Sequence, residues 1–264
     1  MPTTPSGIYW ESRGTVTAPA VLLIEGYTGQ LIGWREGFCD LLLAQGLRVL
    51  RMDNRDVGLS RREDENYMIA DMADDVVDVI ADAALGKVTI VGQSMGGLIA
   101  QHTALEYPDV VTGLVLFYTT PVIDDIDPGV FSAEIPLPRN RQDAIAAFLE
   151  GDRSTASPAW GYDETWKRKL ASLMFDRAPD HSGLHRQRTA VAQLPDLRPR
   201  LADLTMPVAL IHGRDDALIK PRGSERITEL VPHAEMHLYP GMGHEVAPAL
   251  WEDFAGIITR IAVP

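Results

Sequence analysis

One serine of this chain stands in a setting that can make it a nucleophile. Ser94 is the centre of Gly92–Gly96, between an apolar run (Val88–Val91) and a helix-compatible segment (Leu98–Tyr107). A strand, a sharp turn and a helix around the pattern G-x-S-x-G form a nucleophile elbow, which presents the serine Oγ at the end of a sheet. The glycines on either side of the serine let strand and helix approach each other. The alternative is an ordinary glycine-rich loop.

A serine hydroxyl is a weak nucleophile until a base removes its proton, so a histidine is needed. All seven histidines follow Ser94. His244 is the predicted base, because it ends a glycine-rich loop (Pro240–His244) between the last apolar run and the last helical segment. Such a loop can reach back over a sheet. We expect His212, at a strand end, to shape a neighbouring loop, and the remaining histidines to have packing or surface positions: His102, His181, His185, His233 and His237. The alternative for His181 and His185 is contact with substrate.

The base needs an acid that fixes its tautomer and stabilises the imidazolium. Around elbows of this type the chain order is Ser, then Asp or Glu, then His. Asp215 and Asp216 follow the apolar run that ends at His212. Asp216 is the predicted acid and Asp215 the alternative. The simpler interpretation is that both are turn residues.

The reaction at a carbonyl also needs N–H donors for the developing oxyanion, each worth about 10²–10³ in rate. One predicted donor is the amide of Met95, directly after the nucleophile. The other is the amide of Tyr27, in a loop where Gly26 and Gly29 permit a tight turn.

The elements around these residues alternate between short apolar runs and helical periodicity. This alternation predicts an α/β fold, with a mostly parallel sheet covered by helices on both faces. The alternation of predicted strands and helices stops at Pro121 and resumes near Val208. We therefore predict a core of residues 1–120 and 206–264 and a helical lid of residues 121–205, which would enclose substrate. Four aromatic residues of that segment could line a pocket or pack between helices: Phe131, Trp160, Tyr162 and Trp166.

Composition excludes several classes of function. The chain has 264 residues, 45% of them hydrophobic, and a net charge of −13. That charge argues against nucleic acid and against anionic membranes as partners. There is no apolar run of about 18 residues and no signal-peptide pattern, so a cytoplasmic location is expected. The single cysteine, Cys39, excludes an internal disulfide and is expected to be buried.

The acidic residues include five that we expect on the solvent face of one helix: Asp71, Asp74, Asp75, Asp78 and Asp82. In that interpretation they serve solubility and have no site role. The expected partner is a small molecule, and the sequence gives no oligomeric state.

Four motifs together resemble the α/β-hydrolase family, most closely its aclacinomycin-methylesterase-type members. They lie at Arg51–Ser60, Val91–Gly97, Ile211–Asp216 and Pro240–His244, the last followed by Pro248–Trp251. The resemblance implies an α/β-hydrolase fold with a helical lid, and the triad Ser94, Asp216 and His244. It also implies oxyanion donors at Tyr27 and Met95 and a structural role for the loop after Asp53. One position departs from the family pattern, since Glu25 stands where many members have histidine; we expect its side chain to face a hydrogen-bond partner or solvent.

The expected activity is hydrolysis of a carboxylic ester or lactone of a small to medium apolar substrate through an acyl-enzyme, without metal or organic cofactor. The family resemblance tilts the substrate toward a natural-product or aromatic scaffold. Two other interpretations stay open at this point. The same triad could support perhydrolysis, carbon–carbon cleavage or a cyclase-like reaction, or the fold could serve binding alone.

Overall fold

The computed structural model describes residues 2–132, 137–157 and 159–263. In these residues seven strands form one sheet: β1 (Trp10–Arg13), β2 (Ala20–Ile24), β3 (Arg48–Met52), β4 (Val88–Gln93), β5 (Val111–Phe117), β6 (Val208–Gly213) and β7 (Glu235–Tyr239). The α-helices are α1 (Glu36–Ala44), α2 (Ile69–Asp82), α3 (Met95–Glu106), α4 (Gly129–Ser132), α5 (Arg141–Thr155), α6 (Glu164–Arg177), α7 (Leu184–Ala192), α8 (Arg222–Leu230) and α9 (Trp251–Ala262).

The strand order places the carboxyl ends of most strands at one edge of the sheet. The order is β1-β3-β2-β4-β5-β6-β7, with β1 antiparallel to β3 and every other pair parallel. The loops after β2, β4, β6 and β7 therefore emerge on the same side. These loops carry Tyr27, Ser94, Asp216 and His244, so the topology collects all of these residues.

The core lies on both faces of the sheet because side chains alternate along each strand. In β2, Leu22 and Ile24 pack in one hydrophobic cluster with α2 and α3, whereas Val21 and Leu23 pack in another with α1 and α9. All five residues of β2 are buried. The predicted α/β architecture, with a mostly parallel sheet between two helical layers, is confirmed.

The first strand, β1, begins at Trp10 and pairs with β3 from Met52 back to Val49. Before this strand, the N–H groups of Ile8 and Tyr9 donate to the Thr4 and Ser60 hydroxyls, and Tyr9 forms an isolated antiparallel bridge with Thr3.

One of the five aspartates assigned to a solvent face is buried. Asp75 of α2 is 2% exposed and forms a 2.6 Å ion pair with Arg55. The expectation was wrong for this residue, because helical periodicity alone does not show that a loop arginine covers the helix. Burial raises the pKa of Asp75, and the arginine opposes that rise.

The segment between β5 and β6 contains α4 to α7 and no strand among its described residues, as the sequence suggested. We call the segment from α4 to α7, with the loops between these helices, the helical insertion. Side chains of Asn140 and Asp163 cap α5 and α6 at their N-termini. Ile145, Leu149 and Ala171 pack between these two helices, which gives the helical insertion a small core of its own. The short helix α4 had no signal in the sequence.

Candidate active site

Ser94 occupies a strained turn between β4 and α3. Its φ and ψ are +55° and −120°, a conformation that typically costs about 1–3 kcal/mol for a residue other than glycine. Its N–H donates to Phe117 O at 3.0 Å, and Thr119 Oγ1 donates to its carbonyl. A Cβ at Gly96 would overlap Ile24 O, and one at Gly92 would overlap Gly96 O. The turn therefore has the elbow geometry that the motif predicted.

Ser94 is only partly buried and lies in the wall of a small cavity of about 50 Å³. Tyr27 and Met95 line the same cavity. Apart from Arg188, the other lining residues are apolar: Leu98, Ile126, Val130, Val191, Leu218 and Ile219. A small apolar group above the serine hydroxyl is therefore the kind of ligand that fits.

Two backbone donors lie at the cavity. In the described part of the chain, the N–H groups of Tyr27 and Met95 donate to no other residue. Met95 is also the first residue of α3, where the helix dipole favours negative charge. The next amide, that of Thr28, already donates to the Gln187 side chain of α7 at 3.0 Å. Neither predicted donor is therefore occupied by another hydrogen bond within the described residues.

Asp216 and His244 form a close pair. His244 Nδ1 lies 2.7 Å from Asp216 Oδ2, whose side chain has no solvent exposure. The other carboxylate oxygen accepts the N–H groups of Leu218 and Ile219 at 2.8 and 3.0 Å. Burial alone would raise the pKa of Asp216, but the charge of His244 and hydrogen bonds from His212, His244 and the Ile219 N–H hold it well below its ordinary value. This acid is therefore ionised across the physiological range.

The alternative acid is not placed for this role. The Asp215 side chain is 42% exposed and lies 3.7 Å from Arg214 in its nearest ion pair. His212 shapes the acid loop, as its position suggested. It is fully buried, contacts Ser224 Oγ through Nδ1, and contacts Ile219 O through Nε2 at 2.9 Å.

The His244 ring is fixed from two sides, so that Nε2 is the nitrogen left for chemistry. Nδ1 is held by Asp216, and the ring packs on Tyr118 with centroids 4.4 Å apart; the backbone N–H of His244 donates to Thr155 O at 2.8 Å and holds the loop. Tyr118 follows β5, and its hydroxyl donates to the Gln93 side chain next to Ser94. Across the described residues, no side chain forms a hydrogen bond with Ser94 Oγ. Such serine–histidine bonds are often long in ligand-free sites and tighten when substrate binds.

The other histidines lie elsewhere. His102 is buried in α3, His185 contacts Ser182 O, His233 contacts Met206 O at 2.9 Å, and His237 lies 3.3 Å from Glu235. His181 stacks on Phe175. Within the described ranges, none is hydrogen-bonded to Asp216 or His244.

The helical insertion is tied to the loop after β3. Arg186 of α7 makes two hydrogen bonds to Asp56, at 2.7 and 2.9 Å, and Arg177 of α6 pairs with Asp53. Asp53 and Asp56 are both fully buried at the side chain. This loop therefore has the structural role that its motif suggested.

The helical insertion also contacts the loop that follows β7 and carries His244, which we call the base loop. Ser157 donates its N–H to Glu245 at 2.7 Å and receives the Gly243 N–H at 3.0 Å on its Oγ. Together with the bond from His244 to Thr155, these contacts fasten the loop that ends β7. Sequence reasoning missed them, since nothing in the pattern pairs residues so far apart.

The aromatic side chains proposed for the pocket have other positions. Phe131 packs against the main core cluster, and Trp160 Nε1 donates to Pro240 O at 3.1 Å. Arg35 lies 4.5 Å above the Trp166 ring, and Arg153 faces Tyr162. None of the four lines the cavity at Ser94 in the described structure.

Glu25 is buried, contrary to the alternative that it faces solvent. It is 5% exposed, and Oε1 has no hydrogen-bond partner among the described residues. Burial raises its pKa to about 8, with smaller opposing effects from the Gly26 amide and Lys167. No cluster of metal-binding side chains and no helix of membrane-spanning length and apolarity occurs in residues 2–132, 137–157 and 159–263.

The family model for the alpha/beta hydrolase fold matches residues 19–248. The chain belongs to this family. An α/β hydrolase named putative carbamate hydrolase RutD, from Variovorax paradoxus strain S110, is 30% identical over 247 residues, covering 90% of this chain and 89% of the relative. Two solved α/β structures share the fold. The enol-lactonase of Burkholderia xenovorans LB400 has a TM-score of 0.82 at 19% identity, covering 99% and 98% of the two chains. The esterase of Exiguobacterium antarcticum has a TM-score of 0.81 at 22% identity, covering both chains fully.

Proposed function

We propose that this α/β hydrolase cleaves a carboxylic ester or lactone through an acyl-enzyme, with Ser94 as nucleophile, His244 as base and Asp216 as acid. The observation that carries the proposal is the 2.7 Å contact between Asp216 and His244 at the same sheet edge as the Ser94 elbow. A buried, ionised acid on Nδ1 directs Nε2 toward a reacting group.

The proposed reaction follows from these positions. Ser94 Oγ attacks the carbonyl carbon while His244 takes its proton, and the oxyanion accepts the N–H groups of Tyr27 and Met95. Collapse expels the alcohol, which receives the proton from His244. Water activated by the same imidazole then attacks the acyl-enzyme and releases the acid. No cofactor takes part in this scheme.

A small or medium apolar substrate is supported by the cavity. Its volume of about 50 Å³ and its mostly apolar lining fit a short acyl group better than a charged one. The helical insertion supplies Val130, Arg188 and Val191 to this wall. We propose that residues 121–205 act as a lid that encloses the substrate and excludes water.

The relatives define which compounds deserve testing. Their names include a carbamate hydrolase, an esterase and an enol-lactonase. The motif resemblance to aclacinomycin-methylesterase-type hydrolases adds carboxylic esters on natural-product or aromatic scaffolds. A carbamate carbonyl could be attacked by the same serine with the same donors.

The test is a panel of p-nitrophenyl esters of increasing chain length, lactones, methyl esters and carbamates, together with fluorophosphonate labelling. We expect turnover of short esters or lactones and a label on Ser94. Ser94→Ala and His244→Ala should each lower kcat by about 10⁶. Ser154→Ala and His185→Ala, both at exposed positions, are the matched controls.

Two outcomes would contradict the proposal. Near-wild-type turnover in Ser94→Ala would reject nucleophilic catalysis by this residue. Cleavage of a diketone, or peroxyacid formation, with no action on simple esters would favour the alternative chemistries of the same triad.

A further inference from the structure

A buried acid that the proposed mechanism does not use lies directly behind the active site. Glu25 follows β2 and is two residues from the proposed donor Tyr27. Its Oε2 accepts a long hydrogen bond, 3.3 Å, from the Gly26 N–H. Its Oε1 has no partner among the described residues. A carboxylate in such a place is costly, whereas a neutral carboxylic acid is tolerated much better.

The chain makes room for this carboxyl group. A Cβ at Gly29 would lie 2.5 Å from Oε2, and a Cβ at Gly33 would lie 2.5 Å from Oε1. Neither glycine has a positive φ. Glycine is therefore needed at these positions to leave space for the carboxyl group, and the backbone conformation does not require it. The two glycines form a cradle fitted to the Glu25 side chain.

The carboxyl group connects to the base through two side chains. Burial dominates the raised pKa of Glu25, and the nearby Gln93 side chain opposes that rise only in part. Gln93 Oε1 accepts the Tyr118 hydroxyl, and the Tyr118 ring packs on the His244 ring. Gln93 is also the neighbour of Ser94 in the chain. A change at Glu25 can therefore reach both the nucleophile and the base.

The charged groups around Glu25 come from several elements, and no ion pair joins any described residue to it. Lys167 of α6 lowers its pKa but is itself paired with Asp152 at 2.6 Å and with Glu245 at 3.6 Å. Asp53, after β3, raises that pKa, and Arg177 is bound to Asp53.

Tyr118, which packs on the base, is surrounded by carboxylates from several elements, and His212 of β6 lies 3.5 Å from one of them, Asp216. Tyr118 has its pKa raised by burial and then by Glu25, with further contributions from three carboxylates: Glu245, Asp216 and Asp152. An ionised Glu25 would add one more negative charge to these carboxylates. The surroundings of Glu25 therefore favour its neutral form.

From this placement we infer that Glu25 is a positioning residue of the active site: its buried carboxyl group, enclosed by Gly29 and Gly33, supports Gln93 and, through it, the Tyr118 ring behind His244. The inference rests on the proposed function. Ionised Glu25 would place a negative charge behind the two oxyanion donors, and that charge would oppose the negative charge developing on the substrate.

The test compares the pH profiles of wild type, Glu25→Gln and Glu25→Ala. In wild type, kcat/KM should fall as the pH passes about 8, where Glu25 ionises. Glu25→Gln cannot ionise and should lack this alkaline fall. Glu25→Ala should lie about tenfold to a hundredfold below Glu25→Gln at pH 7, mainly in kcat, because the base loses its support.

The control is Glu252→Gln, which removes the same charge from the exposed face of α9 and should keep the wild-type profile. Thermal unfolding verifies that each variant is folded. An alkaline limb shared by wild type and Glu25→Gln overturns the inference, as does equal activity of the alanine and glutamine variants.

Labelling separates failure of the inference from failure of the proposed function. If the fluorophosphonate does not modify Ser94 in wild type, the proposed function fails. If it does modify Ser94, and its rate has the same pH dependence in wild type and Glu25→Gln, then only the positioning role fails.

Discussion

Arg177, the last residue of α6, donates a 2.9 Å hydrogen bond to Asp53, whose side chain is completely buried after β3. The same carboxylate accepts the N–H groups of Leu31 and Leu59, at 2.7 and 2.9 Å. One buried charge thus gathers the helical insertion, the loop after β2 and the loop after β3. The geometry of the site depends on this meeting of three segments.

Removing the arginine should destabilise the fold. Arg177→Ala leaves Asp53 without its cation, and breaking a buried pair in this way typically costs about 3–5 kcal/mol; the lower end applies because Arg177 remains 18% exposed. Urea unfolding measures this loss. Arg141→Ala, which breaks the exposed pair with Asp176, is the matched control and should change stability little. Equal losses in both variants would reject the special role of the buried pair.

The two neighbouring aspartates should differ sharply in their effects on rate. Asp216→Asn removes the charge that fixes the His244 tautomer and should lower kcat by about 10⁴. Asp215→Asn alters only an exposed side chain and should remain near wild type. Hydrolysis of p-nitrophenyl butyrate by the two variants decides between the alternatives that the sequence left open. A larger loss in Asp215→Asn would assign the acid to that residue.

The elbow should be intolerant of a single methyl group. In Gly96→Ala the new Cβ would overlap Ile24 O and the adjoining carbonyl of Glu25, so strand and helix must separate, at a cost of about 1–3 kcal/mol or more. Gly256→Ala, in α9 with open space around it, should instead stabilise by about 0.5–1 kcal/mol. Thermal unfolding of both proteins measures the contrast. A well-folded, fully active Gly96→Ala would show that the turn is less crowded than described.

The buried acid should also affect stability as the pH changes. The pKa of Glu25 is raised from an ordinary value near 4.5 to about 8, so the folded state keeps a proton that the unfolded chain releases. Its contribution to stability is therefore fully present below about pH 4.5 and is lost as the pH rises toward 8. Relative to Glu25→Gln, wild type should become less stable from pH 5 to pH 8 in urea titrations. A constant difference over this range would show that Glu25 does not titrate there.

The elements around Ser94 were predictable because local patterns determine them. The apolar run of β2, the glycines of the elbow and the order Ser, Asp, His are each set by neighbours in the chain. Parallel topology then brings the loop ends together without information about any single side chain. The motif also favoured Asp216 over Asp215 as the acid. In the structure Asp216 contacts His244 Nδ1 at 2.7 Å.

What escaped the sequence are contacts between segments far apart in the chain. Asp75 lies in α2 among aspartates that are more exposed, but Arg55 from the loop after β3 covers it. Glu25 was expected to face solvent or a hydrogen-bond partner, but Gly29 and Gly33 enclose its carboxyl group. The four aromatic residues of the helical insertion could be assigned to a pocket or to packing only after neighbouring helices were placed. Local periodicity carries no record of such pairings.

The fastening of the base loop to Thr155 and Ser157 has a kinetic consequence. If the helical insertion swings outward to admit substrate, it pulls on the imidazole as well. In that open state the imidazole would be displaced, so Ser94 would lack an aligned base until the insertion closed over the substrate. Tethering the insertion should therefore slow entry while sparing the chemical step.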